Sequence, residues 1–244
     1  MTLITFYRCL PGRPDVEKLP FPVQGFSLFE KQVTADPGGL GGKAVERLFR
    51  GTGSAWVLWS HAPGAWTLCR EGLERLLGAA EEAGASWLYA DCLDRVGGEH
   101  RPHQLADYQF GSLRDDFNFG PFSLIREEAA RRALDRAGCL KDSRWGGLYD
   151  LRLHMAEEAL PLRLPEGLAV TTRAAAGEEE HFRYVDPGQE DYQREMERLC
   201  TAWLRRAGGW LPPREGREED RGGTLGWERA ASVVIPVRNR VETL

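Results

Sequence analysis

Two carboxylates follow a predicted strand, at the edge where α/β folds bind their ligands. Asp91 and Asp94 come directly after the apolar segment Ser86–Tyr89, and the ligands of open α/β sheets bind outside the carboxyl ends of the strands. A carboxylate in that place can contact a bound substrate or accept a proton from it. The alternative is a solvated turn whose side chains cap nearby backbone groups.

A second charged group lies between a loop and an aromatic segment. Arg114, Asp115 and Asp116 directly precede Phe117–Phe122, and they could bind a polar ligand or a partner domain. Salt bridges confined to the loop are the alternative. His61 follows the apolar segment Ala55–Trp59 and could contact a phosphate or a metal. Hard cations prefer oxygen ligands, so a loop histidine without such a role is the alternative.

Several other kinds of site lack their sequence signature. The five cysteines are widely spaced and form no CxxC, so neither a zinc ribbon nor a redox pair is predicted. His100 and His103 stand three apart in a loop, which is weak support for a metal site. The glycines of segment 38–42 are followed by Lys43 and Ala44, without the hydroxyl of a phosphate-binding loop. There is also no G-x-S-x-G motif for a serine hydrolase.

Composition narrows the class of protein. The chain has 244 residues and a formal net charge of −5, which argues against nucleic acid as the main partner. No apolar run approaches the ~18 residues of a membrane span. The amino terminus places its basic residue after the apolar stretch, unlike a secretory signal. We therefore expect a cytoplasmic globular protein without a transmembrane segment, and peripheral contact with a membrane stays open.

The elements that would position these residues alternate along the chain. Residues 11–42 are rich in proline and glycine, so irregular structure or short elements are expected there. Ala55–Trp59, a helix from about Leu68 to Gly84, and Ser86–Tyr89 predict a βαβ unit with a parallel, right-handed crossover. The remaining predicted strands and helices are Leu3–Tyr7, Lys43–Phe49, Pro121–Ile125, Glu127–Arg136, Leu148–Glu158 and Leu168–Thr172. This alternation predicts an α/β domain with a mostly parallel central sheet.

The last third of the chain changes character. Apolar residues at helical spacing predict a helix over Glu190–Arg206. Trp203, in this helix, and Trp210, which follows it, either anchor a neighbouring domain or complete this domain's own core. Residues 211–230 have linker composition. Ala231–Val237 then predicts a new buried strand. We expect a first domain over 1–210, a linker over 211–230, and the first strand of a following domain over 231–244 of a longer protein.

That final strand carries a family resemblance. The segment SVVIPVRNR at 232–240 resembles the first strand of family-2 glycosyltransferases, which adopt the GT-A fold. In that family the strand leads to a turn that contacts the nucleotide of the sugar donor. The resemblance places this role on Pro236, Arg238 and Asn239, within the following domain.

A longer resemblance lies upstream. Trp56–Arg95 is similar to the middle of the same fold, in which one strand ends in a metal-binding Asp-x-Asp and a later strand ends in an acidic turn. Asp91 and Asp94 match that acidic turn. Phe117–Leu134 is similar to the acceptor-side strand and helix, and Trp145–Glu157 to the helix that begins with EDYDLW in the family. The resemblance implies a GT-A-like sandwich over roughly residues 55–160, with weaker cover before them.

The departures from the family pattern matter most. The metal-binding Asp-x-Asp falls where this sequence has Ser60, His61, Ala62 and Pro63, and the catalytic carboxylates fall at Gly147 and Leu148. A diphosphate leaving group is normally stabilised by a cation that carboxylates hold, and an inverting transferase needs a carboxylate base. Asp150 survives, at the structural part of that motif. The resemblance therefore implies a degenerate transferase domain.

Three hypotheses follow. In the first, the parent protein is a bacterial-type family-2 glycosyltransferase of polysaccharide biosynthesis. It transfers a sugar from a nucleotide-sugar donor to a glycan or lipid-linked acceptor, and its following domain needs Mg²⁺ or Mn²⁺. The present domain then supports catalysis or positions the substrate, with Arg114, Asp115 and Asp116 contacting sugar. In the second hypothesis it is a structural or carbohydrate-binding module. In the third it is active without metal, with Asp91 or Asp150 as the base.

Overall fold

A computed structural model describes residues 2–11, 26–35, 40–61, 66–138, 140, 143–171 and 189–211, with only the backbone for 2–11 and 26–35. The chain divides into two units, Met1–Trp210 and Leu211–Leu244. The predicted linker beyond Leu211 and the predicted strand with Pro236, Arg238 and Asn239 lie outside the described residues. The domain boundaries and the assignment of the second unit stay predictions.

The first unit is built on one sheet. Its described strands are β1 (Thr2–Pro11), β2 (Phe26–Ala35), β3 (Trp56–Ser60), β4 (Trp66–Leu68), β5 (Trp87–Val96), β6 (Glu99–His103), β7 (Phe122–Arg126) and β8 (Leu162–Thr171). They pair in the order β2-β1-β3-β7-β5-β8-β4, and β6 pairs with β5 off this path. Because β7 runs antiparallel to both of its neighbours, the sheet is mixed. The prediction of a mostly parallel sheet was wrong in this respect.

The predicted βαβ unit is present with one difference. The strands β3 and β5 point in the same direction, since β7 is antiparallel to each of them. They are not neighbours, however, because β7 lies between them. β7, which comes later in the chain, is inserted between the two strands of the unit. Local periodicity cannot show such an insertion, because it depends on pairing between distant segments.

Five helices cover the sheet within the described residues. They are α1 (Gly42–Arg50), α2 (Arg70–Glu82), α3 (Glu127–Ala137), α4 (Gly147–Ala156) and α5 (Glu190–Arg206). The helix α2 begins where Cys69 Sγ accepts a hydrogen bond from the backbone N–H of Gly72. The helix α3 is lined by i,i+4 ion pairs of glutamate with arginine and ends at Gly138, which has a φ of +71°. The helix α5 has the predicted bounds.

Several stretches differ from the prediction in extent, among them β5, which runs to Val96 instead of Tyr89, and β6, which contains His100 and His103 in place of the expected loop. The backbone of Phe26–Ala35 forms a ten-residue strand that pairs with β1, where the proline- and glycine-rich composition predicts irregular structure or short elements. The late strand begins at Leu162 rather than Leu168. The strands β2 and β8 are stabilised by pairing with distant parts of the chain, which outweighs weak local preference.

The core has a layer on each face of the sheet. One layer joins α1, α3 and α4 to the face that carries Val57, Trp87 and Tyr89. The other joins α2 to the face that carries Leu58, Leu88 and Ala90. This α/β sandwich leaves the carboxyl end of β3 and the amino terminus of α4 on the same side of the sheet, where the candidate site lies.

A smaller cluster ties α5 to α4. It consists of Tyr149, Leu153, Met196, Leu199 and Trp203. The ring of Trp203 is buried and lies 4.8 Å from the ring of Phe110, centroid to centroid. Trp203 therefore completes this domain's own core, and of the two alternatives for this residue the structure supports that one. Trp210 is partly exposed and packs on the guanidinium of Arg205.

Candidate functional site

A cavity of about 220 Å³ opens between the end of β3 and the start of α4. Its lining includes Ser60 and His61, at the end of β3, and Trp145 and Gly146, the residues before α4. The other lining residues are Leu40, Trp59, Trp87, Asp115, Phe117, Phe119, Leu148, Tyr149, Arg152, Tyr192 and Met196. The cavity therefore adjoins both places where the family resemblance puts the missing carboxylates.

Close backbone contact fixes the start of α4. The N–H of Gly147 donates to the carbonyl oxygen of Leu40 at 2.8 Å, and the N–H of Gly42 donates to the carbonyl oxygen of Ser143 at 2.9 Å. A Cβ on Gly147 would lie 2.7 Å from three backbone atoms of residues 40–42. Only glycine permits this approach, so the position that would hold the first catalytic carboxylate is closed to any side chain.

A carboxylate from α5 holds the same segment from the other side. Glu195 Oε1 accepts hydrogen bonds from the backbone N–H groups of Trp145 (2.9 Å) and Gly146 (2.8 Å). Its Oε2 accepts one from Arg144 N–H at 2.9 Å. Hydrogen bonds to an ionised acceptor are stronger than neutral ones. Glu195 thus positions the wall of the cavity without entering it.

Aromatic rings make up most of the remaining wall. The ring of Phe119 lies centrally, with centroid distances of 5.2 Å to Trp87, 5.1 Å to Tyr89 and 4.8 Å to Phe117. Edge-to-face and tilted pairs at such distances are favourable. An apolar, aromatic wall with a few polar groups is the usual make-up of a small-molecule site.

One cation is buried in this wall. Arg152, on α4, is only 2% exposed, and its guanidinium carbon lies 4.9 Å from the ring centre of Tyr149 and 5.6 Å from that of Phe119. Its Nη2 donates to the carbonyl oxygen of Arg114 at 2.6 Å, while its Nε has no hydrogen-bond partner. Burial lowers the pKa of Arg152, but a guanidinium stays charged. No described carboxylate forms an ion pair with it.

The charged group at 114–116 lies at the rim of the cavity. Asp115 lines it and accepts a hydrogen bond from the Tyr192 hydroxyl at 2.5 Å. Arg114 and Asp116 form an exposed ion pair with each other at 2.6 Å. The predicted substrate-binding group is thus split: one member faces the cavity, and two form the salt bridge that was the alternative.

His61 lies beside the cavity as a neutral side chain. Its Nε2 is 2.8 Å from Ser123 Oγ, and its ring stacks on Phe119. Burial, aided by the charge of Arg152, lowers the pKa of His61 to about 3. The imidazole is therefore uncharged at neutral pH and already engaged with Ser123.

The donors at this place do not fit Mg²⁺ or Mn²⁺. These cations take several oxygen ligands, mainly carboxylates. β3 ends at Ser60, the sequence continues with His61, Ala62 and Pro63, and Asp115 is the one carboxylate among the described residues that line the cavity.

The two carboxylates of β5 have other partners. Asp91 is buried, accepts the backbone N–H of Leu105 at 3.0 Å and forms an ion pair with Arg163 at 3.1 Å. Asp94 Oδ1 accepts a hydrogen bond from Thr171 Oγ1 at 2.6 Å, and its Oδ2 lies 2.9 Å from His103 Nδ1. Both connect β5 to neighbouring segments, and neither is among the residues that line the cavity.

Asp150 faces away from the cavity. It is buried on α4, with Oδ1 at 3.5 Å from His154 Nε2. Burial raises the pKa of Asp150 to about 6 and, with help from Arg206, lowers the pKa of His154 to about 4. The neighbouring residues Tyr149 and Arg152 line the cavity instead.

Sequence reasoning named His61 and Asp115, which line the cavity, and missed its aromatic residues and Arg152. No local signal in the sequence joined Trp59 and Trp87 to Trp145. Arg152 stands within an apolar helical stretch, and an arginine in such a place was the one available signal for a buried cation.

Comparisons with known proteins bear on the fold. No family model matches the chain, and no curated protein matches it. A crystal structure of S. aureus TarS 1–349 is similar, with a TM-score of 0.51 and 13% identity over 84% of this chain and 65% of that one. The same protein in complex with UDP-GlcNAc aligns with a TM-score of 0.50 and 15% identity over 84% of this chain and 66% of that one.

A third structure is that of the mannosyltransferase PcManGT from Pyrobaculum calidifontis in complex with GDP-Man and Mn²⁺. It aligns with a TM-score of 0.41 and 11% identity over 87% of this chain and 66% of that one. The structural neighbours are glycosyltransferases, and the likeness to TarS supports a GT-A-like fold. The chain spans 65% of the TarS structure. Among the described helices, none is both long and apolar enough to cross a membrane.

Proposed function

We propose that this chain is a GT-A-like domain of a glycosyltransferase, which binds a sugar-bearing substrate in the aromatic cavity and does not transfer the sugar itself. The observation that carries the proposal is the cavity between β3 and α4. It has the make-up of a ligand site, and it adjoins two positions where the chemistry of the family needs carboxylates and this sequence has none.

The chemistry explains why binding without transfer is the better proposal. Breaking the bond to a nucleoside diphosphate needs compensation of the charge that grows on the leaving group. The attacking hydroxyl must also lose a proton to a base. Ser60 and His61 cannot compensate the negative charge on the leaving group, because His61 is neutral. The position of Gly147 cannot hold a base that accepts the proton, because residues 40–42 occupy the space of a side chain there.

The polar groups of the cavity favour an anionic ligand such as a nucleotide sugar. A buried guanidinium without a counter-ion is unfavourable, and an anionic ligand at Arg152 would compensate it. TarS is solved in complex with UDP-GlcNAc, which makes that nucleotide sugar the first ligand to test here. Asp115 and the Tyr192 hydroxyl, at the rim, suit the hydroxyl groups of a sugar.

The wider assignment belongs to the same proposal. The parent protein would be a bacterial family-2 glycosyltransferase of polysaccharide biosynthesis, working in the cytoplasm on a glycan or lipid-linked acceptor. Its following domain, with Pro236, Arg238 and Asn239 at the nucleotide, would hold Mg²⁺ or Mn²⁺ and carry out transfer. The present domain would position the substrate for it.

A carbohydrate-binding module without a link to transfer is the second candidate, and the aromatic wall is the observation that favours it. Sugar rings stack on aromatic side chains whether or not a nucleotide is attached. The metal-independent transferase with Asp91 or Asp150 as the base has less support, because neither residue is among those that line the cavity.

Calorimetric titration of the 244-residue chain with UDP-GlcNAc tests the proposal. We expect binding that is unchanged between EDTA and Mn²⁺, and weakened at least tenfold by Arg152→Gln, which removes the buried charge. Arg131→Gln, an exposed arginine of α3 paired with Glu127, is the matched control. Because Arg152→Gln could also disturb the fold, Leu148→Trp, which fills the cavity at a half-buried position, should abolish binding as well.

Three outcomes would contradict parts of the proposal. Equal affinity for free N-acetylglucosamine and UDP-GlcNAc would favour the carbohydrate-binding module. Mn²⁺-dependent binding with release of UDP would show an active transferase. Binding that both cavity variants leave intact would place the ligand elsewhere.

A further inference from the structure

Three side chains with metal-binding donor atoms meet on the face of the sheet that packs against α2. The Cys92 thiol, an Asp94 carboxylate oxygen and a His103 ring nitrogen all lie within 4.8 Å of one another. We propose that these residues form a zinc site, with a water molecule as the fourth ligand. The inference is independent of the proposed function, because it concerns other residues and the opposite face of the sheet.

Strand geometry brings the three donors together. Cys92 and Asp94 are two residues apart on β5 and therefore point to the same face. A tight turn at Gly97 and Gly98, with φ of +60° and +90°, returns the chain as β6. The resulting register sets His103 directly opposite Cys92, on that same face. The paired strands thus hold all three donors before any ion binds.

A neighbouring hydroxyl orients the carboxylate. Thr171 Oγ1, on β8, donates a hydrogen bond to Asp94 Oδ1 at 2.6 Å. The other oxygen, Oδ2, lies 2.9 Å from His103 Nδ1. Outer hydrogen bonds of this kind fix the ligands of metal sites in place. Zinc would take the place of the proton between Asp94 and His103, and the Cys92 thiol would release its proton to solvent.

The donor set selects zinc among common divalent ions. Thiolate and imidazole ligands suit Zn²⁺, whereas Mg²⁺ and Mn²⁺ prefer oxygen alone. With Zn–ligand bonds of about 2.0–2.3 Å, tetrahedral donors stand about 3.3–3.7 Å apart. The more distant donors, which lie within 4.8 Å of one another, need to approach by up to about 1.5 Å, whereas Asp94 Oδ2 and His103 Nδ1, at 2.9 Å, need to separate slightly. The exposed fractions of the His103 and Asp94 side chains, 29% and 15%, leave a path for the ion and a position for water.

The site is separate from the aromatic cavity. Cys92 belongs to the core layer of Leu88 and Ala90, whereas Trp87 and Tyr89 belong to the layer that borders the cavity. A bound zinc ion would therefore join β5 to β6, and through Asp94 and Thr171 to β8. It would stabilise this end of the sheet without taking part in ligand binding on the other face.

Titration of the untagged, reduced chain with Co²⁺, a coloured substitute for zinc, tests the proposal. We expect one equivalent to produce a thiolate-to-cobalt absorption band in the near ultraviolet and intense visible bands of tetrahedral cobalt, both removed by Zn²⁺. Cys92→Ser should abolish the near-ultraviolet band, and His103→Gln should weaken Co²⁺ binding at least tenfold. The matched controls are Cys69→Ser and His100→Gln, which change an exposed cysteine and an exposed histidine of β6.

Thermal unfolding gives a second measurement that does not depend on colour. Zinc should raise the melting temperature of the wild-type chain and of both controls, and should leave Cys92→Ser and His103→Gln unchanged. The proposal is overturned if Co²⁺ produces no thiolate band with the wild-type chain. It is equally overturned if Cys69→Ser removes the band, or if all four variants respond to zinc as the wild type does.

Discussion

Replacing Gly147 by alanine should destabilise the protein, whereas the same replacement at Gly78 should stabilise it. Gly147 is the first residue of α4, and its new Cβ would lie 2.7 Å from Leu40 O, Gly41 C and Gly42 N. Backbone atoms cannot rotate away, so segment 40–42 or the helix must shift by about 0.7 Å to restore ordinary contact. Overpacking of this kind costs about 1–3 kcal/mol.

Gly78 is the matched control, because it is an exposed glycine within α2. No atom outside its own helix lies within 4 Å of a Cβ built on it, and alanine is more favourable than glycine in a helix by about 1 kcal/mol. For a chain of this size, 1 kcal/mol changes the melting temperature by about 2–4 °C. We therefore expect Gly147→Ala to melt about 2–12 °C below the wild type and Gly78→Ala about 2–4 °C above it.

The assay is urea and thermal unfolding followed by circular dichroism, with tryptophan fluorescence as a second probe. Equal stability of the two variants, or stabilisation by Gly147→Ala, would refute the tight contact between α4 and segment 40–42. The result bears on function as well. If the contact is as close as described, the family's glutamate cannot be restored at Gly147 without moving the cavity wall, so Gly147→Glu with Leu148→Asp should not create transferase activity.

Further predictions concern charge and protonation. Glu195→Gln should lower the free energy of unfolding by about 2 kcal/mol, because the amide loses one of three backbone hydrogen bonds and the charge that strengthens the others. In urea unfolding, the exposed control Glu197→Gln should stay within about 0.5 kcal/mol of the wild type. Equal losses in the two variants would contradict the role of Glu195. The pKa of Asp150 is raised from 3.8 to about 6, so the folded state holds this proton more tightly, and the contribution of this carboxyl to stability should fall by roughly 3 kcal/mol as the pH rises from about 4 to 6, whereas the lowered pKa values of His61 and His154 act in the opposite direction. Asp150→Asn should lack that fall in urea unfolding at pH 4 and 7, and a slope identical to the wild type would refute the assignment. The His61 imidazole, with its pKa lowered to about 3, should stay neutral from pH 5 to 8 in ¹H–¹⁵N spectra, and a titration midpoint above pH 6 would exclude its buried contact with Ser123.

Local sequence patterns predicted the elements whose own apolar pattern is strong. The spacing of Tyr192, Met196, Leu199 and Trp203 on one face of a helix was sufficient for α5, because one apolar face packs against the rest of the domain. The apolar run at Ala55–Trp59 likewise predicted β3, since both faces of that strand are buried. What the sequence could not show is that β7 inserts between β3 and β5, because strand order depends on pairing across the whole fold.

The candidate site was harder to predict than the fold. Its aromatic rings belong to residues that lie as far apart in the sequence as Trp59 and Tyr192, and only the folded chain brings them together. Arg152 lies on a helix that is buried on nearly all sides. The sequence of such a helix has no alternation of polar and apolar faces that could show which way Arg152 points. The cavity adjoins both departures from the family pattern, and the functional role that the resemblance implies for this region stays a prediction. The resemblance gave no indication that aromatic rings and a buried guanidinium fill the place of carboxylates.

A crystal structure of the chain with UDP-GlcNAc, grown in EDTA, tests the central claim most directly. Our account predicts intact nucleotide sugar with part of the molecule in the cavity between β3 and α4, in contact with the aromatic wall, and with an anionic group near the Arg152 guanidinium. A ligand bound outside that cavity, or UDP alone with its diphosphate on a metal ion when Mn²⁺ is added, would contradict it.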